Sequence, residues 1–178
     1  MTNPVDLFAA VLEEFHNDPK WTNSLFGKIK TINNTKVGSV GERFIERLCG
    51  ELSIPCSFPT NTLGKRKTQS SWDIRIANIE FELKTATEDI SKNFQFNHIR
   101  YHREYQALLC LGVAPANLYF EVWSKDDVVS GKAGKLVTME KDGHASYKLT
   151  KNAVQLHIID DFHSVFTRFA DDFHKKVP

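Results

Sequence analysis

Three polar residues whose types could do chemistry together, Asp73, Glu82 and Lys84, lie in one short stretch of the chain. Carboxylates without a histidine or thiolate suit Mg²⁺ or Mn²⁺, which keep bound waters and take one or two protein carboxylates together with a substrate phosphate. A lysine beside such a metal can orient the attacking water or hold the scissile phosphate. These residue types therefore indicate a metal-assisted reaction at a phosphate group.

A hairpin is the element that must position these residues. Read as extended backbone, the stretch forms two short strands, Trp72–Ile76 and Ile79–Ala86, joined by a tight turn at Ala77 and Asn78. Side chains alternate between the two faces of a strand, so the second strand has one apolar and one charged face. The apolar face carries Ile79, Phe81 and Leu83, and the charged face carries Glu80, Glu82 and Lys84. An ordinary half-buried strand explains the same alternation, and it is Asp73 that adds the chemistry.

The order of Asp73, then Glu82, then Lys84 two residues later resembles the PD-(D/E)xK signature of the restriction-endonuclease-like nuclease superfamily. The resemblance implies that Asp73 and Glu82 hold the divalent metal and that Lys84 assists the nucleophilic water. Trp72 stands at the position of the proline in the signature. Glu80 points to the same side of the strand as Glu82, so alternation alone does not distinguish them. Glu82 is assigned as the metal ligand because it stands two residues before Lys84, as the signature requires.

The stretch Thr35–Leu52 predicts the clearest helix of the chain, with a broad apolar face. Gly38 and Gly41 would each cost about 1 kcal/mol relative to alanine in its interior, which indicates close approach to a sheet or to a DNA backbone. The pattern GxxGE that ends at Glu42 resembles the first core helix of many nucleases of this superfamily. The resemblance implies that Glu42 reaches toward the metal site. The plainer interpretation is that Glu42 and Glu46 are solvated acids on the helix surface.

Two polar segments on either side of the hairpin supply candidate DNA contacts. The loop Asn61–Ser71 carries the basic triplet Lys65, Arg66 and Lys67, which beside a phosphate-cleaving site predicts contact with the DNA backbone. The segment Glu88–Tyr105 mixes aromatic residues with basic and amide side chains, which suit phosphate contacts and base-edge recognition. Its candidate contact residues are Gln95, Asn97, His98, Arg100 and Arg103. The same segment also reads as an amphipathic helix, capped by Ser91, that covers the sheet.

The order of the predicted elements indicates a fold class. The apolar runs Tyr105–Ala114 and Asn117–Ser124 predict central strands of one sheet, and Ile54–Pro59 predicts a short one. The resulting order of helix, three strands, helix and two strands matches the αβββαβ core of the superfamily. We therefore predict an α/β fold with a restriction-endonuclease-like αβββαβ core, in which helices flank a central mixed sheet. This core spans about residues 37–124 of a single nuclease domain, 1–178.

The remaining elements lie outside this core. A C-terminal hairpin and helix are predicted over about residues 134–176, with strands at Leu136–Glu140 and Ala145–Leu149 and a Phe-rich helix at Asp160–Phe173. The other predictions are an amphipathic helix at Pro4–Phe15, a helical piece at Trp21–Ile32, a loop at Lys125–Lys135 and a short strand at Ala153–Ile159.

Composition limits the class of protein. The chain has 178 residues, 41% hydrophobic and 25% charged, as in an ordinary globular domain. No apolar run approaches the roughly 20 residues of a membrane span, and the first residues lack the basic start of a signal peptide. We therefore expect a cytoplasmic protein that does not enter a membrane. Cys49 and Cys110 lie in apolar patterns and are expected to be reduced core residues.

The resemblance implies a Mg²⁺-dependent endonuclease acting on double-stranded DNA, similar to type II restriction endonucleases and to the small cleavage subunits of heterodimeric type IIS enzymes. A net charge of +1 is low for a DNA-binding domain. It favours either basic residues clustered on one face or a partner protein that supplies much of the affinity for DNA. Because one site cuts one strand, a double-strand break requires a homodimer or a larger DNA-recognition subunit. The alternatives are a Holliday-junction resolvase, a repair nuclease, or a non-catalytic DNA-binding or assembly module with the same fold.

Overall fold

The computed structural model describes residues 19–67, 70–141 and 145–176, and the helix predicted over Pro4–Phe15 lies outside the described residues. The strands, in chain order, are β1 (Cys56–Ser57), β2 (Ile74–Ile76), β3 (Ile79–Thr87), β4 (Asn93–Ile99), β5 (Ala107–Val113), β6 (Leu118–Ser124), β7 (Leu136–Glu140), β8 (Ser146–Asn152) and β9 (His157–Ile158). The α-helices are α1 (Asn34–Glu51), α2 (Lys125–Val129) and α3 (Phe162–Lys176). Short 3₁₀ turns lie at Pro19–Trp21, Gly27–Thr31, Ala153–Gln155 and Ile159–Asp161.

A six-stranded mixed sheet forms the centre of the fold, with the strand order β1-β2-β3-β5-β6-β9. Neighbouring strands are antiparallel except for β3 and β5, which run parallel. A second sheet of three antiparallel strands has the order β4-β8-β7. The prediction of an α/β fold with helices flanking a central mixed sheet is therefore confirmed.

The hairpin of β2 and β3 forms where the sequence predicts it. Ala77 and Asn78 both have left-handed backbone angles, with φ of 48° and 65°, as the two central positions of a type I′ turn require. This turn sets the register in which Ile74 pairs with Phe81. Strand β2 is shorter than predicted, so Asp73 lies just before the strand rather than within it.

Helices α1 and α3 cover one face of the central sheet. The Asn33 side chain caps α1, because it accepts a hydrogen bond from the Lys36 backbone N–H at 2.9 Å. The helices bury an apolar layer against the sheet, and this layer includes the predicted inward residues Ile79, Phe81 and Leu83. The buried helix residues of the layer are Ile45, Cys49, Phe162, Phe166 and Ala170.

The second sheet covers the opposite face of the central sheet. Phe94 and Phe96 of β4 and Leu149 of β8 are buried in one cluster with Leu108 and Cys110 of β5. The central sheet therefore lies between a helical layer and a second sheet.

The amphipathic helix predicted within Glu88–Tyr105 is wrong, because strand β4 occupies this segment. Phe94 and Phe96 are buried while Gln95 and Asn97 are exposed, and an alternation of period two belongs to a strand. The segment between β3 and β5 is thus a strand of the second sheet, at the point where the αβββαβ order has a helix.

Strand β3 is covered on both faces as a consequence of this second layer. The plainer of the two interpretations of its sequence is an ordinary half-buried strand, which leaves the charged face open to solvent. In the structure, Glu82 is only 3% exposed and Ala86 only 7%, although both lie on that face. The expectation of an open charged face is therefore wrong over the middle of the strand.

Other segments differ from their predictions in detail. The predicted loop Lys125–Lys135 begins with α2, because Ser124 Oγ accepts a hydrogen bond from the Asp127 N–H at 3.1 Å and caps the helix. The helical piece predicted over Trp21–Ile32 consists of 3₁₀ turns, and the strand predicted over Ala153–Ile159 is reduced to β9 after a 3₁₀ turn. Strands β1, β5, β6, β7 and β8 and helix α3 form close to their predicted ranges.

Two further expectations concern the state of the cysteines and the presence of a membrane-spanning helix. Cys49 and Cys110 are buried free thiols, as predicted. Over the three described ranges, none of the helices combines the length and the apolar character that crossing a membrane requires.

The close approach of α1 to β3 at Gly41 gives a stability prediction. A Cβ at Gly41 would lie 1.9 Å from Thr85 Oγ1, whereas a Cβ at Gly38 meets nothing within 4 Å. We expect Gly41→Ala to destabilise the fold by about 1–3 kcal/mol through overpacking. Gly38→Ala should stabilise it by up to about 1 kcal/mol through helix propensity. Urea unfolding measures both free energies, and a shift of the same sign in the two variants would contradict this account.

Candidate active site

Strand β3 carries Glu82 and Lys84 on the face that the second sheet covers. Lys84 Nζ lies 2.7 Å from Glu82 Oε1 and forms an ion pair with it. The Glu82 side chain is nearly fully buried, whereas 21% of the Lys84 side chain is exposed. A buried carboxylate is costly unless a cation and hydrogen bonds compensate it, and Lys84 supplies the cation.

Asp73 is held against β3 by the backbone of the residue between Glu82 and Lys84. Its Oδ2 accepts a hydrogen bond from the Leu83 N–H at 2.9 Å, and its own N–H donates to the Phe81 carbonyl at 2.8 Å. These two hydrogen bonds fix the Asp73 backbone and carboxylate beside the segment of β3 that carries the other two residues. The hairpin therefore brings the three residues of the predicted signature together.

Glu82 Oε2 and the Tyr105 hydroxyl are buried polar atoms with no hydrogen-bond partner among the described residues. Burial raises the pKa of Tyr105, and the negative charge of Glu82 raises it further, which places the two side chains within electrostatic reach of each other. A buried oxygen without a partner costs roughly 1–3 kcal/mol. Glu82 Oε2 is therefore a buried oxygen whose hydrogen-bonding capacity no described residue uses, although Glu82 itself lines neither of the clefts described below.

Two adjoining clefts border this group of residues. The first, which we call the Lys84 cleft, has a volume of about 550 Å³ and is lined by α1, the C-terminal half of β3 and the outward residues of β4. The second, the Trp72 cleft, has a volume of about 650 Å³ and is lined by α1 and the loop after β1. Thr35, Glu42 and Asp73 line both clefts, so Glu42 and Asp73 stand at the boundary between them.

Glu42 reaches this boundary from α1 and forms an ion pair with Arg66. Burial raises the pKa of its carboxyl above the usual value, and the Arg66 guanidinium offsets part of that effect. The negative charge of Asp73 raises the pKa further, and the positive charge of Lys84 lowers it. Because the charges of Asp73 and Lys84 both shift the pKa of Glu42, the three side chains form one electrostatic group.

The basic triplet after β1 takes exposed positions in its loop. Arg66 and Lys67 line the Trp72 cleft, and Lys65 precedes them. The Arg66 guanidinium lies 3.6 Å from the ring centre of Phe58 and is engaged by Glu42. The triplet therefore lies beside the candidate site, although an internal ion pair occupies Arg66.

The polar residues of β4 face the Lys84 cleft, which Gln95, Asn97 and His98 all line. Gln95 Nε2 donates a hydrogen bond to Asp89 Oδ2 at 2.8 Å, and His98 Nδ1 lies 3.3 Å from Ser146 Oγ. Three residues predicted to contact DNA therefore share a cleft with Lys84.

The two arginines predicted to contact DNA, Arg100 and Arg103, are not among the residues that line the Lys84 cleft. Arg103 Nη1 donates a hydrogen bond to the Ser70 carbonyl at 3.1 Å, which ties the segment after β4 to the residues before the hairpin. Arg100 is half-buried just after the end of β4.

Sequence patterns miss several residues that line or support the site. Thr35 and Ser39 line the Trp72 cleft from α1, and Tyr105 lies near Glu82. Asp89 lines the Lys84 cleft and accepts a hydrogen bond from the Ser91 N–H at 2.9 Å. The sequence Asp-x-Ser is a turn signal that could have found Asp89. The other three carry no local signal, because only the packing of distant elements brings them to the site.

The oxygen donors of this group fit a hard divalent cation such as Mg²⁺. Across the described ranges, no three His, Cys, Asp or Glu side chains form a group that could hold a metal ion. Mg²⁺ is commonly bound by one or two carboxylates and takes its other ligands from water and substrate phosphate. Glu82 Oε2 and the Asp73 carboxylate are the donors that match this requirement.

Comparison with known proteins assigns no family to the chain. No protein-family model matches the sequence. No curated protein matches it either. Among solved structures, the fold is similar to that of the bacterial homing endonuclease I-Ssp6803I, with a TM-score of 0.48 and 8% sequence identity, covering 79% of this chain and 97% of that chain. A likeness at this level assigns neither family nor activity, so the candidate chemistry depends on the side chains described above.

The electrostatics of Glu42 give a prediction that requires no substrate. Arg66→Ala should raise the pKa of Glu42 further, because the guanidinium favours the ionised carboxyl. Asp73→Asn should lower that pKa, because the substitution removes a neighbouring negative charge. Carboxyl titration followed by carbon-detected NMR measures both directions.

Arg43→Ala is the matched control for this titration, since Arg43 pairs with Glu46 on the same helix. It should leave the pKa of Glu42 close to its wild-type value. If the pKa of Glu42 is unchanged in both Arg66→Ala and Asp73→Asn, Glu42 does not belong to the electrostatic group of Asp73 and Lys84.

Proposed function

We propose that this chain is a metal-dependent DNA endonuclease of the PD-(D/E)xK type, which hydrolyses phosphodiester bonds of double-stranded DNA. The observation that carries the proposal is the ion pair of buried Glu82 and half-buried Lys84, 2.7 Å apart, with Asp73 hydrogen-bonded to the backbone between them. An ion pair that serves structure alone is expected to have its remaining oxygen hydrogen-bonded. Among the described residues, Glu82 Oε2 has no such partner, which supports a role in binding a ligand.

Each residue of the group has a role that its surroundings support. Asp73 and Glu82 would supply oxygen ligands to Mg²⁺, or to Mn²⁺ in its place; such an ion, when bound, lowers the pKa of a water and neutralises charge on the phosphate. Lys84 is held by Glu82 and lines the cleft, where its ammonium can donate to the scissile phosphate and orient the attacking water. Glu42 borders the same cleft and would assist from α1 by accepting a hydrogen bond from that water.

The distribution of charge supports a partner in DNA binding. Lys65 and Lys67 are exposed in the loop beside the Trp72 cleft and suit contact with the DNA backbone. The whole chain nevertheless has a net charge of only +1, because 22 acidic residues nearly balance its 23 basic ones, and this balance weakens the overall attraction to DNA phosphates. We infer that the chain acts as a homodimer or with a larger DNA-recognition subunit, either of which supplies the second site that a double-strand break requires.

The finer proposal is a type II restriction endonuclease, or the cleavage subunit of a heterodimeric type IIS enzyme, acting in the cytoplasm. The signature residues, the small size and the low charge support it. A self-sufficient restriction enzyme cuts a short duplex site alone, whereas a cleavage subunit is nearly inert until its partner is added. A Holliday-junction resolvase would be a homodimer that prefers branched DNA, and a repair nuclease would require a damaged substrate.

A non-catalytic DNA-binding or assembly module with the same fold is the second candidate class. The low net charge is the observation that favours it. Such a module would bind its partner without cutting DNA, so cleavage separates the two classes.

Plasmid cleavage tests the catalytic assignment. With Mg²⁺ at low salt, the wild type should nick or linearise supercoiled plasmid. Asp73→Asn, Glu82→Gln and Lys84→Met preserve side-chain size but remove the charged groups, and each should lower the cleavage rate by at least about a hundredfold. Wild-type activity in any of the three would remove that residue from the site.

Lys175→Ala is the matched control for Lys84→Met, because Lys175 is 75% exposed and pairs with Asp172 on α3. It should cut as fast as the wild type. Thermal melting of every variant separates loss of chemistry from loss of folding. If neither Mg²⁺ nor Mn²⁺ supports cleavage by the wild type on duplex or branched DNA, the non-catalytic class or a missing subunit is favoured.

Metal binding gives a readout that is independent of cleavage. Glu82→Gln and Asp73→Asn should each weaken Mn²⁺ binding by at least about tenfold, as measured from the free Mn²⁺ signal in electron paramagnetic resonance. Glu80→Gln is the control, since Glu80 lies on the same strand face but pairs with Arg75. Weakened binding in Glu80→Gln together with unchanged binding in Glu82→Gln would reassign the metal ligand.

A further inference from the structure

The outer face of the second sheet presents polar and methyl-bearing side chains in register. Gln95 of β4 pairs with Thr150 of β8, and Lys148 of β8 pairs with Val137 of β7. Residues directly opposite each other on antiparallel strands project to the same face. Gln95, Thr150 and Val137 are exposed and Lys148 is half-buried, so this face is turned away from the core.

This outer face is continuous with the Lys84 cleft. The register of β4 shifts after Phe96, and His98 has a left-handed φ of 57°, so that Asn97 and His98 are both exposed. Gln95, Asn97 and His98 line the cleft together with Lys84. A ligand whose phosphate lies at Lys84 therefore has its neighbouring groups against the second sheet.

We propose that the outer face of the second sheet enters the major groove of duplex DNA and reads base edges, an inference that rests on the proposed endonuclease function. Amide side chains such as Asn97 pair with the adenine edge, and an ammonium such as Lys148 donates to guanine. The Thr150 hydroxyl can bond several bases, and the Val137 methyl groups can contact the thymine methyl. A face dominated by amide, hydroxyl and methyl groups suits base reading better than phosphate contact, which favours a face rich in arginine and lysine.

A hydrogen bond beside the outer face orients Gln95. Asp89 accepts from Gln95 Nε2 at 2.8 Å, which leaves Gln95 Oε1 as the acceptor for a base amino group. Glu140, an acid at the end of β7, accepts from Ser146 Oγ at 2.8 Å beside His98. Lys148, which stands opposite Val137, adds a positive charge to this face and complements the charge of DNA.

The length of two strands of the second sheet, β4 and β8, also fits the major groove. The groove is about 12 Å wide and admits a two-stranded β-ribbon. Strands β4 and β8 have seven residues each, which at about 3.3 Å per residue gives a ribbon roughly 23 Å long. A ribbon of that length can present several side chains to successive base pairs.

Selection from a random duplex library tests this inference. The Lys84→Met protein, with Mg²⁺ present so that bound DNA stays uncut, is mixed with duplexes carrying a randomised tract, and the bound fraction is sequenced. We expect a preferred sequence. Asn97→Ala in the same background should relax the preference at one base position by about tenfold, and Lys148→Ala should do so at another.

Further variants make the result specific. Asn97→Asp keeps the size of the side chain but replaces its amide donor with a second acceptor, so preference at that position should move from adenine toward cytosine. Lys67→Ala should weaken binding to all sequences alike and leave the preference unchanged, because it removes a backbone contact. Lys175→Ala should change neither quantity.

The inference is overturned if the parent protein selects no sequence, or if the preference is the same in Asn97→Ala and Lys148→Ala as in the parent. Either result leaves the endonuclease proposal intact, since that depends on metal-dependent cleavage by the wild type. Conversely, selective binding that responds to Asn97 and Lys148, without cleavage by the wild type, would support the reading face and favour the non-catalytic class or a missing subunit.

Discussion

The burial of Glu82 under the second sheet is the constraint on which the candidate site depends. A carboxylate removed from water carries a penalty of several kcal/mol unless a cation and hydrogen bonds compensate it. Lys84 provides the cation at 2.7 Å, and only one of the two Glu82 oxygens is satisfied in this way. Without the second sheet on that side, the same two residues would form an exposed pair worth no more than about 1 kcal/mol. The second layer thus converts an ordinary charged strand face into a strong electrostatic site.

The two layers on the central sheet also determine what surrounds Lys84. On one side, α1 approaches β3 closely enough that a Cβ at Gly41 would meet Thr85, and this approach carries Glu42 to the boundary of the two clefts. On the other side, the amide residues Gln95 and Asn97 of β4 line the same cleft. Chemistry and recognition can therefore be separated between the central sheet and the second sheet while sharing one cleft.

Local patterns predict the elements of this fold well where one physical signal dominates. The hairpin follows from alternation and from a turn at Ala77 and Asn78, and α1 follows from the apolar face predicted along Thr35–Leu52. The error at Glu88–Tyr105 arises because aromatic and polar residues can be fitted to either a strand or a helix. Phe94 and Phe96 settle the choice only when they pack against β5, a contact far away along the chain. The missed helix α2 depends on Ser124 acting as a cap, a signal too short to stand out in the sequence.

The sequence by itself determined the hairpin, the order of the three charged residues along it and the helix that carries Glu42, because each depends on neighbours along the chain. Only the tertiary structure decided that Glu82 is buried, that Asp73 bonds to the Leu83 N–H, and that Gln95 and Asn97 line the same cleft as Lys84. These features depend on which layers cover the two faces of β3. Alternation along a strand separates its two faces but does not record what packs on either of them, since the partners of each face come from distant parts of the chain.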